Sequence, residues 1–309
     1  MLVQQIKPPS SELQGEIQAS EELQRIIRQH TGRNLLPEMI LYERIKYRGY
    51  RSYSDGKRFK VHQGELINGD KVAIKISEQK PGLHDDEGRN FGRRIRRHAT
   101  TWKSLDSKYI LPFLGMGVEI VEAREGTMRD YFRLYFVSPW MPDGDAVNFI
   151  RNAHDQGLYV DVAKIVRDVA LGLKYLHELD EPCIHGSVRG ENVLIRRDQG
   201  VEQGCLNGFA LTKREARNQP PRSKMECAPE ILDSVSDRPL LELSSDIWSW
   251  AMTALQLYSG QPDFGKYAPL PDKTWALLGR SWNIIPEERP TIQAIAEKLD
   301  QINTEAGLA

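Results

Sequence analysis

An α+β fold is predicted, with a small antiparallel β portion first and a larger, mainly helical portion after it. Between residues 41 and 141, short alternating or apolar runs are punctuated by Gly and Asp, the pattern of antiparallel strands joined by tight turns. A single long amphipathic stretch, residues 85–105, interrupts them and reads as a helix. From Val160 onward, apolar residues recur at helical spacing almost to the end of the chain.

Composition sets the bounds. The 309 residues are 40% hydrophobic and 28% charged, enough for one large or two modest globular units with ample core. The expected organisation is a helical N-terminal extension over 1–40, a small β-rich domain over 41–141 and a large helical domain over 142–309. Lys plus Arg (42) nearly balances Asp plus Glu (43), so no overall field favours nucleic acid or an anionic membrane. The expected partners are other proteins and not nucleic acid. There is no apolar run of about 18 residues, and the start MLVQQIKPPSSELQ lacks the basic-then-apolar pattern of a signal peptide. The expectation is a cytoplasmic protein without a membrane span. Cys183, Cys205 and Cys227 are odd in number and lack C-x-x-C spacing, so core packing is their expected role.

In chain order, residues 1–9 are polar with a Pro-Pro pair and read as a loose terminus. Ser10, Ser11 and Ser20 are capping residues, and Leu13, Ile17, Leu23, Ile26 and Ile27 fall at near-helical spacing, so one or two helices are expected, ending near Gly32. MILYERIKYRG, KRFKVHQGEL and KVAIKI read as strands, with Asn68-Gly69 at a tight turn between the last two. The helix at 85–105 is apolar at Phe91, Ile95, Ala99, Trp102 and Leu105 and basic on its outer side through Arg93, Arg94, Arg96 and Arg97. That basic side reads as a solvated face or as a site for an acidic partner. YILPFLGMGVEIV and RLYFVSPWM read as two more strands. DVAKIVRDVALGLKYLHEL is helical and leads into CIHGSVRGENVLI, Cys183 to Ile195.

That last stretch resembles the catalytic loop of eukaryotic protein kinases, H-R-D-L-K-x-x-N. Further landmarks follow the family's order: Val-Ala-Ile-Lys ending at Lys75, the hinge-like Ser138-Pro139-Trp140-Met141, Gly208-Phe209-Ala210 at the D-F-G position, Ala228-Pro229-Glu230, the helix around Asp246 and PEERPT with Arg289. The resemblance covers roughly residues 41–303 and implies a two-lobed protein-kinase-like fold, with a small antiparallel β lobe plus one helix and a large, mainly helical lobe. LPFLG, VSPWM, HGxxxGxN and ERPT are most similar to tyrosine-kinase-like families abundant in fungi.

The resemblance also assigns roles. Gly56 stands at the middle glycine of the phosphate loop and Lys75 at the phosphate-orienting lysine. Val61, Ala73, Leu194 and the backbone of Met141 stand at adenine contacts, with Ser138 as a small gatekeeper, and Asn192 at a metal-binding position. Trp102, Phe113, His185 and Phe209 stand at a stacked structural spine, Asp246 at the anchor of the catalytic loop, and Glu230 with Arg289 at a buried ion pair.

The chemistry, however, departs from the family pattern. Kinase catalysis is largely electrostatic positioning by metal ions, a Lys and a carboxylate base. Ser187 replaces the catalytic Asp, and a neutral hydroxyl cannot act as that base, whose assistance is worth about 10² to 10⁴ in rate. Gly208 replaces the metal-binding Asp and offers no side-chain oxygen to a hard divalent cation. His98 stands where the helix Glu partner of Lys75 is expected, and the loop Ser54-Asp55-Gly56-Lys57-Arg58-Phe59-Lys60-Val61 keeps one glycine beside an added acid. The resemblance therefore implies a pseudokinase: an intracellular signalling, scaffolding or allosteric module, with an active kinase among its candidate partners. Expected ATP binding is weak, magnesium binding is not expected, no metal site is assigned and no residue is assigned as catalytic. The alternatives are an active atypical kinase that phosphorylates Ser, Thr or Tyr from ATP, a small-molecule phosphotransferase suggested by His-Gly in the loop, and a hydrolase suggested by the His185–Ser187 spacing.

Overall fold

The computed structural model describes residues 11–41, 45–56, 59–77, 86–121, 131–209, 227–232, 241–260 and 270–305. The expected loose terminus, residues 57–58 of the expected phosphate loop and residues 210–213 after Phe209 lie outside the described residues. The chain divides into two compact units: Met1–Leu105 with Pro112–Trp140, and Asp106–Leu111 with Met141–Ala309.

The first unit is built on a five-stranded antiparallel sheet. Its strands are β1 (Ile45–Gly56), β2 (Phe59–Leu66), β3 (Lys71–Ser77), β4 (Gly115–Val121) and β5 (Tyr131–Pro139), in the order β1-β2-β3-β5-β4. Four residues, 67–70, close the β2–β3 hairpin, where Gly69 takes a φ of 91° that favours glycine and its N–H donates to the Leu66 carbonyl. Leu41, Val72, Ile74, Tyr135 and Val137 form a core cluster of this unit.

Two helices complete the unit: α1 (Ser11–Thr31) and α2 (Asp86–Lys103). Helix α1 packs on β4 and α2, because Ala19, Leu23, Ile26 and Ile27 recur on one face and all are buried. Gly32, at φ 69°, ends it, its N–H donating to the Arg28 carbonyl. The side chain of Gln24 then holds the returning chain, donating to the Leu35 carbonyl at 3.1 Å and accepting from the Leu35 N–H at 2.8 Å.

Two strand expectations are corrected here. MILYERIKYRG was expected to be a strand from Met39, but Pro37 opens a 3-10 turn over Pro37–Met39, while the described strand β1 covers Ile45–Gly56. The run from Tyr109 to Val121 is a strand only from Gly115, since Pro112, lacking an N–H, interrupts it. Tyr109–Leu111 instead flanks the second unit's Leu206, whose N–H donates to Tyr109 and whose carbonyl accepts from Leu111.

The second unit contains α3 (Ala146–Asp155), α4 (Val162–His177), β6 (Val193–Asp198), β7 (Val201–Leu206), α5 (Pro229–Leu232), α6 (Leu243–Ser259), α7 (Asp272–Ser281) and α8 (Ile292–Glu305). Helix α4 packs on β7, α6 and α8 and buries Ile165, Val166, Val169, Ala170, Leu173 and Leu176. Gly172 permits the close approach to β7: a Cβ there would stand 2.9 Å from Leu206 Cδ1 and 3.1 Å from the Tyr109 carbonyl. The β6–β7 hairpin was not anticipated. Its two-residue loop, Gln199 and Gly200, has positive φ at both positions (47° and 83°), the turn geometry that matches strand twist.

An ion pair ties α5 to the approach to α8. Arg289, fully buried at its side chain, makes two 2.8 Å hydrogen bonds to the Glu230 carboxylate and stacks 5.1 Å from the Trp248 ring. Burial pushes the Glu230 carboxyl up, but the hydrogen bonds and charge of Arg289, with Ser245 and the backbone, hold it below its ordinary value of 4.5.

Candidate functional site

The first unit brings several of the assigned residues onto neighbouring strands. In register, Val61 of β2 faces Lys75 of β3, and Ala73 of β3 faces Ser138 of β5, which is buried. Gly56 ends β1 opposite Phe59, while Val61 pairs with Ser54, so Gly56 lies toward the hairpin end and Val61 farther back. Lys75 also pairs in register with Phe136, and against that ring stands His98 of α2, edge-on at 4.6 Å. Trp102, Phe113 and Phe136 continue the cluster, with the Trp102 and Phe113 rings 5.1 Å apart. Helix α2 thus docks beside Lys75 through rings, at the position where the resemblance expects a carboxylate.

The second unit assembles the loop of residues 183–192. Asp246 of α6, buried, holds its start: Oδ2 accepts from His185 N–H at 2.7 Å and Oδ1 from Gly186 N–H at 2.8 Å, while His177 Nε2 lies 3.0 Å from Oδ2. His185 is fully buried and packs edge-on against Phe209 at 5.4 Å. Its Nδ1 accepts from the Ser187 N–H at 3.2 Å, which leaves Nε2 to carry the proton toward the Asn207 carbonyl at 3.0 Å. Burial lowers the pKa of His185 and so favours this neutral ring.

Ser187, Asn192 and Gly208 come together at the centre of the loop. Asn192 Nδ2 donates to the Ser187 carbonyl at 2.8 Å and to Ser187 Oγ at 3.1 Å, and the Asn192 carbonyl accepts from Asn207 N–H. Gly208 sits at φ 99°, and a Cβ built there would lie 2.8 Å from both Cγ and Nδ2 of Asn192 and 3.0 Å from its Oδ1. The Asn192 amide therefore occupies the space that any side chain at 208 would enter. Met141 and Leu194 lie in the same unit: Gly144 N–H donates to the Met141 carbonyl, Gly144 C=O accepts from Ile195 N–H, and Asp145 bridges to Leu194.

This arrangement limits the chemistry. Both His185 nitrogens are engaged by main-chain groups, and the Ser187 hydroxyl accepts from an amide rather than facing an imidazole, so the Ser-His pair of the hydrolase alternative does not form. At positions 192 and 208, where the resemblance expects metal ligands, the side chains supply one amide oxygen and no carboxylate, a poor fit to a magnesium ion that wants several oxygens. Among the described residues, no group of three or more His, Cys, Asp or Glu side chains could hold a metal ion, and no helix is long and apolar enough to cross a membrane.

Two residues that build the loop were not singled out in the sequence. Gln256, buried in α6, accepts from Gly190 N–H at 3.2 Å, and a Cβ on Gly190 would meet Val147 Cγ2 at 2.3 Å and Gln256 Oε1 at 2.7 Å. The signal for Gln256 was a lone amide within the apolar run AMTALQLY. His177, at the end of α4, carried no signal beyond the residue itself.

Comparison with known proteins agrees with this geometry. The chain is 24% identical over 265 residues to the probable serine/threonine-protein kinase drkC of Dictyostelium discoideum, covering 76% of this chain and 33% of that relative. It is 24% identical over 173 residues to the serine/threonine-protein kinase TNNI3K of Mus musculus (48% of this chain, 20% of the relative). To the serine/threonine-protein kinase cst-1 of Caenorhabditis elegans it is 24% identical over 184 residues (58% and 33%). The chain spans about a third or less of the length of these curated relatives. The family model for protein tyrosine and serine/threonine kinases matches residues 50–271, and the chain belongs to that family.

Proposed function

We propose that this kinase-family domain is a pseudokinase, a signalling, scaffolding or allosteric binding module for other proteins, an active kinase among the candidates, that does not itself transfer phosphate. The observation that carries this reading is the packing of the Asn192 amide against Gly208. It leaves no room, in this conformation, for a metal-binding side chain at 208, while the same amide donates both to the carbonyl and to the hydroxyl of Ser187. Loss of the base at Ser187 and of the metal ligand at Gly208 removes two contributions that act together in phosphoryl transfer.

The nucleotide roles of Gly56, Val61, Ala73, Lys75, Met141, Asn192 and Leu194 are part of the same proposal, with ATP bound weakly and magnesium adding little. The tyrosine-kinase-like subtype and a cytoplasmic location belong to it as well. A second reading, an active atypical kinase, is favoured by the presence of Lys75 and Asn192 and by relatives named as serine/threonine kinases. One assay separates them: transfer of labelled γ-phosphate to the protein itself and to generic protein substrates, with magnesium or manganese. No incorporation above background is expected. Metal-dependent incorporation that disappears in Lys75→Met overturns the proposal in favour of the active kinase.

A further inference from the structure

We infer that the outward stripe of α7 joins two copies of this chain in an antiparallel pair. Helix α7 packs on α6 and α8, and Thr274, Leu277, Leu278 and Ser281 are buried along one side of it. The opposite side is the stripe Asp272, Trp275, Ala276, Gly279 and Arg280, at steps of three and four residues and exposed throughout. Trp275 keeps 49% exposure although its ring meets that of Trp282 edge-on at 5.7 Å. Ile284 and Ile285, next along the chain, are exposed at 72% and 45%. Large apolar side chains gathered in water mark a surface that another protein covers.

Gly279 gives an independent observation. A Cβ built there meets nothing nearer than Trp282 Nε1 at 3.9 Å, an ordinary contact, so the fold leaves room for alanine at this position. Glycine is the poorest helix former after proline, and α7 gains nothing from it in a single copy. What the missing side chain provides is a notch one turn from Trp275.

The charges select the occupant. Asp272 stands in the first turn of α7 and Arg280 in the last, and neither has an ion-pair partner among the described residues. Lys273, which borders the stripe, is already paired with Glu305 of α8. An acidic segment laid along the stripe meets repulsion at Asp272, and a basic one meets it at Arg280. A second copy, turned about a two-fold axis at Ala276, meets neither. Asp272 of each copy then lies opposite Arg280 of the other, and Trp275 of each lies over the small Ala276 and Gly279 of the other. Two ion pairs at the rim of an apolar centre are the anatomy of a protein interface, with one patch serving both copies. This inference does not depend on the loss of phosphotransfer, and it is tested without nucleotide.

The test is sedimentation velocity of the full chain from about 1 to about 200 μM, a range suited to an interface of small area. The weight-average mass is expected to rise with concentration from the monomer value of 35.3 kDa toward twice that value. Asp272→Arg alone and Arg280→Asp alone each set like charges against each other at both ends of the helix pair. Each is expected to weaken association at least tenfold without loss of helical circular dichroism. Mixed in equal amounts, the two single variants oppose unlike charges at both ends again, and association is expected to return to within about threefold of wild type. Trp275→Ala changes no charge and is expected to weaken association at least tenfold, which keeps the inference testable should a charge variant fail to fold. A monomer mass at every concentration would leave the stripe to a different protein and overturn the inference. Wild-type association in any of the three variants, or a mixture that associates no better than its components, overturns it as well.

Discussion

At position 208 the fold has room for a hydrogen and not for a methylene. With φ at 99° and Asn192 Cγ 2.8 Å from the missing Cβ, Gly208→Asp forces both backbone strain and displacement of the Asn192 amide. The expected cost is at least about 1–3 kcal/mol in urea denaturation. The double change Ser187→Asp with Gly208→Asp is expected to remain without phosphotransfer, and recovery of metal-dependent transfer would show that Asn192 gives way. Gly190 follows the same logic, since its Cβ would meet Val147 at 2.3 Å and the acceptor of its own N–H at 2.7 Å. Gly190→Ala is expected to cost about 1–3 kcal/mol by overpacking, read as a lower denaturation midpoint. The missing carboxylates were legible in the sequence because residue type alone decides whether an oxygen is available. What fills their place was not, because a glycine carries no trace of its neighbours and the Asn192 bonds exist only in three dimensions.

Among the elements, those with a clear period were legible and those broken by one residue were not. Helix α1 follows the spacing of Leu23, Ile26 and Ile27 and runs as one helix to Thr31. Leu23 is 1% exposed, so Leu23→Ala is expected to destabilise the protein by about 2–5 kcal/mol in chemical denaturation. A change within a few tenths of a kcal/mol would mean that α1 does not hold this packing in solution. The strand expected from Tyr109 was placed too early because apolar alternation continues across Pro112, which lacks a ladder donor. The link between α5 and the start of α8 depends on chemistry rather than period. Glu230 has a folded pKa below its ordinary 4.5, so the stabilisation from its pair with Arg289 is complete above that value and is lost as pH falls through the lower folded value. Arg289→Ala is expected to cost about 3–5 kcal/mol at neutral pH, toward the lower end because the Glu230 side chain keeps 27% exposure to screening water. Melting temperatures from pH 7 to pH 3 check both parts: the variant should start lower and show a shallower fall below pH 4.5. Parallel curves would place the acid sensitivity elsewhere.

At the scale of the whole molecule, the order of landmarks along the chain was enough to read a two-lobed kinase fold, because that fold spaces its functional loops by strands and helices of regular length. The return of residues 106–111 to the second unit was not legible, since Tyr109–Leu111 makes its hydrogen bonds to Leu206, far away in sequence. The same whole-chain reading leads to a prediction about nucleotides. The nucleotide roles proposed for Val61, Ala73 and Leu194 rest on apolar side chains, and apolar contacts are indifferent to metal. A magnesium ion bridging phosphates needs oxygens from the protein, and the positions that would supply them hold one amide, bonded at its nitrogen to Ser187, and a glycine. Asp55 adds a negative charge beside Gly56, at the proposed phosphate loop, and like charge there would disfavour a triphosphate further. Flat adenine-mimicking inhibitors are therefore expected to raise Tm more than magnesium-ATP does, and ATP is expected to give the same shift with magnesium as with a chelator. If magnesium-ATP gave the larger shift and Asn192→Ala removed it, Asn192 would be a working metal ligand, and the active-kinase reading would replace the pseudokinase proposal.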